Sequence, residues 1–362
     1  MQFELDEDRA LLKQQTRELL ERESPLEAAR AVMEDGLEGY SKSLHATLAE
    51  LGYLSLALSE EQGGMGAVAL AAVLHEMGRA AFPGPFLEVL LAARALEACD
   101  DDAARGLLAR VTAGEALCVL ARRERLDDLV PEDPATCHQD GRVSGVKQLV
   151  PFGAHADALL VETRDGLAIV ERPASGWDAA PLPTLDHAQR FAEVRLDGEA
   201  RLVAEPEAAA GVLADVDRIA SLGAAAQLLG TAERALELTL AYASEREAFG
   251  SAIAGFQALQ HRCADMLLQT ESTRSAVYRA AWALDHDPAE ADWLVAVAKA
   301  WAGPAARFVC GEAIQLHGGV GFTWEYDPHI FFKRARTLEQ FHGSTRTQLE
   351  RALRAREAGR SR

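Results

Sequence analysis

The pattern of apolar and turn-forming residues in the middle of this chain differs from that at both ends, and this difference limits the folds that the chain can adopt. Between residues 115 and 206 the apolar runs are short, and Asp-Gly pairs that are typical of turns lie between them. The clearest runs are Leu117–Leu120, Ala158–Val161 and Leu167–Val170. Short apolar runs bounded by turn signals predict strands, so we expect a small β domain over residues 115–206.

The segments on both sides of this region read as helices. Acidic residues at positions 6–8 suit the positive end of a first helix. Apolar residues at helical spacing predict a further helix over residues 67–80. Gly303-Pro304 and the glycines at 318–321 are predicted to interrupt the helices of the C-terminal segment.

This order of helices, strands and helices predicts an α+β fold that is mostly α. We place an N-terminal helical domain at residues 1–114, the β domain at 115–206 and a C-terminal helical domain at 207–362. Hydrophobic residues make up 49% of the chain and aromatic residues only 6%, a composition that favours packed helices over a sandwich of strands.

Net charge and cysteine spacing exclude several classes of protein. The formal charge of -19 at pH 7 makes the surface repel polyphosphate, so nucleic acid is not an expected partner. The five cysteines lie far apart in sequence, which predicts neither a disulfide framework nor a metal site. The chain begins without a basic and apolar leader and has no apolar run of membrane-spanning length. We therefore expect a cytoplasmic protein with no metal and no membrane partner.

Two clusters in the C-terminal segment carry residues suited to binding a nucleotide. The candidates are, in chain order, Arg246, Gln257, Gln315, Gly318 and Gly319. A guanidinium fork suits a diphosphate, carboxamides supply hydrogen bonds, and glycines let the backbone approach a phosphate or a planar cofactor. The alternative is that Arg246 pairs with Glu245 or a neighbouring helix and that the glutamines are exposed helix residues.

These clusters resemble the C-terminal signatures of the acyl-CoA dehydrogenases. The similar stretches are REAFGSAIAGFQALQHRCADM at residues 246–266 and QLHGGVGFTWEYDPHIFFKR at residues 315–334. Leu51–Gly66 and Gly145–Asp157 are similar to two further family segments, so the resemblance covers essentially the whole chain. It implies an N-terminal helical domain, a middle β-barrel domain and a C-terminal four-helix bundle.

The resemblance also implies a chemistry. Acyl-CoA dehydrogenases remove hydrogens from the α and β carbons of an acyl-CoA thioester: a carboxylate takes the α proton, and FAD accepts the β hydride. In the family FAD lies across a subunit interface, and an acceptor flavoprotein takes the electrons. Carried over to this chain, the residues that hold the ADP half of FAD are Arg246, Phe249, Gln257, Gln315, Gly318 and Gly319.

The chain departs from the family at the catalytic base. The family glutamate lies in a Glu-Gly-Thr motif eight residues after the arginine that Arg334 resembles, and here that place is taken by His342. Some branches carry the base on the helix before the first signature, where this chain has Ala220, with Asp217 about one turn away. His342 and Asp217 are therefore the two candidates for a base within this chain.

A second departure falls in the β domain. The family segment Thr-Glu-Pro-x-x-Gly-Ser-Asp, which contacts the flavin ring and the substrate, is replaced by ARRERLDDL at residues 121–129. A family threonine is replaced by Pro151, which offers neither a hydroxyl nor a backbone donor. We therefore do not expect the usual pocket for the flavin ring in this chain.

These departures leave three hypotheses for the function. In the first, the chain contributes FAD contacts to an α2β2 heteromer, as in some bacterial steroid-degrading members, and a second acyl-CoA dehydrogenase-like subunit supplies the base. In the second, the chain is a homo-oligomeric dehydrogenase that uses His342 or Asp217. In the third, it is a scaffold that binds no flavin and stabilises a partner enzyme. The two retained signatures favour the first hypothesis over the third.

Two further groups of residues have alternative interpretations. The aromatic residues of Trp324–Tyr326 either form a ligand wall or pack in the core, and Glu325 is either a displaced base or an ordinary surface carboxylate. A group of three positively charged residues is interpreted as a charged helix face, with contact to a phosphate of CoA or FAD as the alternative. Its members are Lys333, Arg334 and Arg336.

Overall fold

A computed structural model of the chain describes residues 5–35, 39–127, 133–172 and 176–360. The α-helices are α1 (Glu7–Glu23), α2 (Leu26–Asp35), α3 (Lys42–Glu50), α4 (Gly66–Arg79), α5 (Phe86–Glu97), α6 (Asp102–Thr112), α7 (Pro206–Glu245), α8 (Gln257–His286), α9 (Pro288–His317), α10 (Pro328–Gln340) and α11 (Thr345–Arg360). The β-strands are β1 (Cys118–Ala121), β2 (Cys137–Gln139), β3 (Arg142–Pro151), β4 (Ala158–Thr163), β5 (Gly166–Glu171), β6 (Trp177–Leu182), β7 (Phe191–Glu199), β8 (Arg201–Ala204), β9 (Glu247–Ala248) and β10 (Ser251–Ala252). The predicted order of helices, strands and helices is confirmed.

Local sequence signals explain where helices begin. α1 starts after Asp6, whose carboxylate accepts a hydrogen bond from the Arg9 backbone N–H at 2.9 Å. α6 starts after Asp101, which accepts from the backbone N–H groups of Ala103 and Ala104. In both cases a short acidic side chain satisfies donors that the first turn leaves without an intrahelical partner.

One predicted helix break is wrong. α9 continues without interruption through Gly303-Pro304, although proline lacks the N–H that would complete the helical ladder. α9 packs along α8, α10 and α11, and a Cβ atom added at Gly303 would lie 2.9 Å from Cγ of Glu339 in α10. Tertiary packing on these helices therefore outweighs the local tendency of the proline to end the helix. The interruption predicted at 318–321 is confirmed, because α9 ends at His317.

The chain divides into two compact units, and each combines segments that are distant in sequence. The helical unit comprises Met1–Glu27, Ala67–Phe82 and Ser221–Arg362. The mixed unit comprises Ala28–Gly66 and Pro83–Ala220. The division into three consecutive domains at residues 1–114, 115–206 and 207–362 stays a prediction.

The strands of the mixed unit form two four-stranded sheets. In the first the order is β1-β4-β5-β8, with β1 parallel to β4 and the other pairs antiparallel. In the second the order is β2-β3-β7-β6, and all pairs are antiparallel. Leu159 and Val161 of the first sheet share one buried core with Val143 and Val194 of the second. The β region predicted between two helical segments is therefore present as two sheets around a common core.

In the helical unit, α4 crosses α7 with the two backbones in contact. A Cβ atom added at Gly78 would lie 2.1 Å from the Gln227 carbonyl oxygen, and one added at Gly230 would lie 1.9 Å from the His75 carbonyl oxygen. Only glycine allows so close an approach at both positions. Residues 221–245 of α7, together with α8, α9, α10 and α11, supply the C-terminal helical bundle that the resemblance implied.

Candidate functional site

The first cluster lies where the chain turns back at the end of α7. The backbone N–H of Arg246 donates to the Tyr242 carbonyl at 2.8 Å and closes the last turn. β9 and β10 then pair antiparallel across a two-residue turn formed by Phe249 and Gly250. Both turn residues have positive φ, at 55° and 86°, as a type I′ hairpin turn requires. This geometry places the Phe249 side chain, which is 98% exposed, at the tip of the hairpin.

The polar residues of the first cluster are open to solvent. The exposed Arg246 side chain makes no ion pair or hydrogen bond with any residue that the structure describes, so the alternative salt bridge to Glu245 is not formed. Gln257 is the exposed first residue of α8, and no side chain caps the start of this helix. The guanidinium fork and the positive end of α8 can therefore both receive an anionic group.

The second cluster begins where α9 ends. Gly318 follows His317 with a φ of 66°, and a short 3-10 turn then runs from Gly318 to Phe322. Gly321 is required for packing, because an added Cβ atom would lie 2.6 Å from the Ile314 carbonyl oxygen. Gly319 has no positive φ, and a Cβ atom added there would meet no atom of the described chain within 4 Å. The chain itself gives no packing reason for this glycine, whereas an external group that approaches its backbone would give one.

An aromatic contact brings the two clusters together within the helical unit. The rings of Tyr242 and His317 stack with centroids 4.3 Å apart and planes at 19°, and the Tyr242 hydroxyl donates to the His317 carbonyl at 3.4 Å. Tyr242 lies one turn before Arg246, and His317 lies two residues after the exposed Gln315. The clusters alone do not single out Tyr242 or His317 in the sequence. An aromatic residue within one turn of each signature is the signal that could have found them.

His342 occupies a tight corner after α10. Its φ of 59° is unusual for a residue with a side chain, and its half-buried ring meets Phe341 edge-on with centroids 4.4 Å apart. Two buried side chains hold this corner. Gln348 Nε2 donates to the His342 carbonyl at 2.8 Å, and Lys299 Nζ donates to the Gly343 carbonyl at 3.1 Å. The corner that carries the candidate base His342 is therefore fixed by hydrogen bonds from two buried side chains.

Asp217, the second candidate base, belongs to an ion-pair cluster in the mixed unit. Arg122 donates to Asp217 at 2.6 Å and to Glu162 at 2.8 Å, and the Arg122 and Glu162 side chains are each only 15% exposed. Burial opposes the charge of Arg122, but the two carboxylates outweigh it and raise the pKa of the guanidinium. The Asp217 carboxylate is thus committed to a charged partner. Ala220, at the other base position, is buried and has no proton acceptor in its side chain.

The segment at residues 121–129, which the resemblance aligns with the family's flavin contacts, is held by its own ion pair. Residues 121–127 are described, and the last two residues of the segment lie outside the described part of the chain. Glu124 accepts hydrogen bonds from Lys147 Nζ at 2.8 Å and from the backbone N–H groups of Ala135 and Thr136. Burial disfavours the Glu124 carboxylate, but these donors outweigh burial and lower its pKa to about 2. The segment therefore carries a largely buried charge pair.

The positive residues of α10 do not form the expected charged face. Arg334 is fully buried and donates to two backbone carbonyls just after α4, at 3.0 and 3.3 Å. The expectation is wrong for this residue because carbonyl groups more than 200 positions away in sequence satisfy its donors. Lys333 lies over the Trp324 ring at 4.6 Å, and Arg336 pairs with Glu339 at 2.6 Å. All three side chains therefore have partners within the chain.

No three His, Cys, Asp or Glu side chains in the described chain are arranged to hold a metal ion. Burial raises the pKa of Cys99 to about 11 and of Cys118 to about 12, so these thiols stay protonated near neutral pH. Glu325 is exposed at the surface. None of the helices described combines the length and apolar composition needed to cross a membrane.

Known proteins match the chain over almost its whole length. A family model described as the acyl-CoA dehydrogenase N-terminal domain matches residues 6–115, and that of the acyl-CoA dehydrogenase C-terminal domain matches residues 218–356. The acyl-CoA dehydrogenase IpdE2 of Mycolicibacterium smegmatis is 33% identical over 353 residues, which cover 96% of this chain and 98% of that protein. IpdE2 of Mycobacterium tuberculosis is 33% identical over 348 residues, which cover 95% and 96%.

Solved structures agree with these matches. A variant of the Tcur3481-Tcur3483 steroid ACAD is similar at a TM-score of 0.86 and 28% identity, covering 98% of this chain and 99% of that chain. The ChsE4-ChsE5 complex from Mycobacterium tuberculosis is similar at a TM-score of 0.86 and 28% identity, covering 99% of both chains. A glutaryl-coenzyme A dehydrogenase shares the fold at a TM-score of 0.90 and 23% identity, covering 99% and 97%. This chain therefore belongs to the acyl-CoA dehydrogenase family, whose members are FAD-dependent oxidoreductases.

Proposed function

We propose that this chain is the FAD-contacting subunit of a heteromeric acyl-CoA dehydrogenase and that a related partner subunit supplies the catalytic glutamate. The proposal is carried by one contrast. Arg246, Gln257 and Gln315 of the cofactor clusters are exposed and open to a ligand. The two positions at which the family carries its base instead hold His342 and the buried Ala220. A chain with this contrast is suited to bind the cofactor but not to take the α proton.

The exposed residues suit the nucleotide half of FAD. The Arg246 guanidinium has no ion-pair partner in the described chain, and a planar fork can bind two diphosphate oxygens at once. Gly319 leaves the backbone open to a phosphate, and Phe249 offers a bare ring to the adenine or the flavin. When bound, FAD supplies the acceptor for the substrate hydride. The part of this chain in the reaction is to bind and orient the nucleotide end.

Exposed apolar side chains support a partner subunit. In addition to Phe249, several large apolar residues of α8, α9 and the following turn are 40% to 62% exposed. They are Leu267, Leu268, Trp301, Phe308 and Phe322. Aromatic residues are enriched at protein–protein interfaces, so these exposed side chains support a partner subunit. The similar Tcur3481-Tcur3483 and ChsE4-ChsE5 structures are each named for two components.

The relatives support a proposal for the substrate class and one for the electron acceptor. We propose an acyl-CoA thioester as substrate, and the steroid ACAD among the similar structures favours an acyl group derived from a steroid. We propose an electron-transferring flavoprotein as the acceptor. CarC, a subunit of the caffeyl-CoA reductase-Etf complex of Acetobacterium woodii, is 34% identical over 130 residues, which cover 36% of this chain and 34% of that protein. The cytoplasm is the compartment in which we place the reaction.

A second candidate function keeps catalysis within a homo-oligomer of this chain. The corner at His342 is fixed by Gln348 and Lys299, and a neutral imidazole can accept a proton near neutral pH. Asp217 suits this role less well, because Arg122 binds its carboxylate. In this function the pure chain would turn over acyl-CoA alone and lose activity in His342→Ala. A scaffold without flavin, the remaining candidate, gives no role to the exposed Arg246 or to the glycine at 319.

The first experiment is to purify the tagged chain from its natural host together with whatever chains bind it. Copurifying chains are identified, bound flavin is counted, and turnover is measured with straight-chain and steroid-derived acyl-CoA thioesters. We expect a yellow, active complex with a second family member that has glutamate at its base position. The chain purified alone is expected to be inactive. Robust turnover by the pure homomer would contradict the heteromer.

Arginine variants of the same complex test the cofactor site. Arg246→Ala is expected to remove most of the bound flavin, because the diphosphate loses its fork. Arg22→Ala is the matched control, since that exposed arginine of the helical unit pairs only with its neighbour Glu23 in the described chain. It is expected to keep its flavin. Unchanged flavin content in Arg246→Ala would favour the scaffold instead.

A further inference from the structure

Three aromatic rings of the helical unit form one group between the two cofactor clusters. The Tyr326 ring meets the stacked pair edge-on, with its centroid 5.7 Å from Tyr242 and 6.0 Å from His317. His317 is 5% exposed, whereas Tyr326 is 37% exposed. Stacked and edge-on ring pairs at these distances attract each other and have preferred orientations, so the three rings restrain one another.

Hydrogen bonds fix the His317 ring and its backbone. Nδ1 of His317 lies 2.7 Å from the Ala313 carbonyl oxygen, and because a carbonyl only accepts, Nδ1 carries the proton. The Tyr242 hydroxyl donates to the His317 carbonyl at 3.4 Å. Burial lowers the pKa of His317, although the bond to Ala313 and the charge of Asp327 oppose the shift. The ring is therefore neutral near pH 7 and holds a single tautomer.

The aromatic group is joined through the backbone to both cofactor clusters. The Tyr242 carbonyl accepts from the Arg246 N–H at 2.8 Å, so the tyrosine belongs to the turn that sets the direction of the arginine. His317 immediately precedes Gly318, whose φ of 66° begins the exposed glycine turn. A shift of either ring would therefore move Arg246 relative to the glycines that follow His317.

We propose that Tyr242, His317 and Tyr326 are positioning residues that hold Arg246 and the glycine turn at the separation required by the ADP half of FAD. This inference rests on the proposed function, because it needs FAD to bind at the two clusters. Simple packing would need only the apolar ring of Tyr242. The hydroxyl, which reaches the backbone directly before the glycine turn, is the feature that distinguishes positioning from packing.

Two substitutions of Tyr242 test this role through the affinity for FAD. Tyr242→Leu removes the stacked ring and the hydroxyl together, and we expect it to raise the FAD dissociation constant of the purified complex about tenfold. Tyr242→Phe keeps the stack and loses only the hydrogen bond, and we expect it to raise the constant about threefold, a rise that packing of the ring alone would not give. The rise of FAD fluorescence on dilution measures the constant without any turnover.

A second stacked pair in the same unit provides the matched control. Trp282 and His286 of α8 stack with centroids 5.0 Å apart and planes at 9°, outside both cofactor clusters. His286→Ala removes a stacked histidine and should leave the FAD dissociation constant unchanged. If Tyr242→Leu weakens FAD binding no more than His286→Ala does, the positioning role is overturned.

Arg246→Ala, measured beside these variants, separates failure of this inference from failure of the proposed function. If Arg246→Ala weakens FAD binding and Tyr242→Leu does not, only the positioning role falls. If neither variant changes the dissociation constant, the proposed cofactor site itself is refuted.

Should Tyr242→Leu fail to fold, Tyr326→Leu takes its place, because this ring is partly exposed at the edge of the group. We expect it to weaken FAD binding about threefold, and no change would overturn the inference.

Discussion

The Arg122 guanidinium donates a hydrogen bond of 2.6 Å to a carboxylate oxygen of Asp217, 95 residues later in the chain. This contact joins residues 121–127, which the resemblance aligns with the family's flavin contacts, to α7, on which it implies the base of some family branches. Glu162 is a second carboxylate partner of the same arginine. One structural ion-pair cluster therefore links two segments at which the sequence predicts a departure from the family's chemistry.

Loss of Arg122 should be costly, because two largely buried carboxylates would lose a shared partner. We expect Arg122→Ala to destabilise the protein by about 3 kcal/mol. Asp217→Asn should cost only about 1 kcal/mol, since Arg122 keeps Glu162. Thermal unfolding of both variants measures the difference. Arg105→Ala is the control, because that exposed arginine pairs with Asp100 and Asp102 at the surface. Equal melting temperatures for all three variants would mean that the cluster adds no stability.

Glu124 makes the folding stability of the protein depend on pH in the acid range. In spite of burial, hydrogen bonds from Lys147 and Thr136 hold its folded-state pKa at about 2, below the ordinary value of 4.5. A carboxyl group whose pKa is lower in the folded state contributes stability above its unfolded-state pKa and loses that contribution as the pH falls towards the folded-state pKa. We therefore expect Glu124→Gln to melt at a lower temperature than the parent at neutral pH.

The difference between the two melting temperatures should shrink once the pH falls below about 4.5, because the parent then begins to lose the contribution of its carboxylate. Melting curves of parent and variant, recorded at matched salt from neutral pH down to about pH 3.5, check the trend. A gap that stays constant over this range would refute it.

Two glycines of α7 should respond to alanine with opposite signs. Gly230→Ala is expected to destabilise the protein by about 3 kcal/mol, since its Cβ would lie 1.9 Å from the His75 carbonyl oxygen. Gly211 has no atom of the described chain within 4 Å of an added Cβ. Gly211→Ala should therefore stabilise the helix by roughly 0.5–1 kcal/mol. The melting temperatures should move in opposite directions, and a harmless Gly230→Ala would disprove the close contact between α4 and α7.

His342→Glu restores a carboxylate at the family's base position. We expect the pure chain to remain inactive in this variant, because Arg122 and Glu124 still occupy the segment that carries the family's flavin contacts. In the proposed heteromer, whose partner would supply the base, His342→Ala should change turnover by less than about twofold. Steady-state rates of both variants are compared with the parent complex. Substantial turnover by the pure His342→Glu chain would show that the base was the missing element.

Much of the fold follows from signals that are local in sequence. Asp6 and Asp101 cap helices because a side chain and an N–H only two or three residues away are enough. The glycine turn at Gly318 likewise needs only a residue that adopts a positive φ. The strands between residues 115 and 206 could be predicted because turn signals separate short apolar runs.

Features that depend on contacts between distant residues could not be predicted in this way. Arg334 looked like part of a charged face, yet its donors bind backbone carbonyls at the other end of the sequence. Pro304 looked like a helix end, yet packing on three neighbouring helices keeps α9 continuous. Local propensity is worth only a few kcal/mol at such positions, and tertiary packing can exceed it.

The candidate site could likewise be predicted from the sequence only in part. The residue types of the two cofactor clusters could be read from the sequence, and so could the lack of a glutamate at His342. The sequence could not show that Arg246 has no ion-pair partner in the described chain, or that Tyr242 stacks on His317. Both facts depend on how the ends of α7 and α9 are arranged in space, which only the structure shows.

The exposed ring of Phe249 has a consequence for aggregation of the chain in a cell. It stands 98% exposed on a hairpin tip, and Trp301 adds a second open aromatic surface at 45% exposure. Copies made in excess of the proposed partner would leave these apolar side chains open to other apolar surfaces, including those of further copies, and would aggregate more readily. In the proposed heteromer, matched synthesis of the two polypeptides would shorten the time in which an unpaired copy aggregates or is degraded.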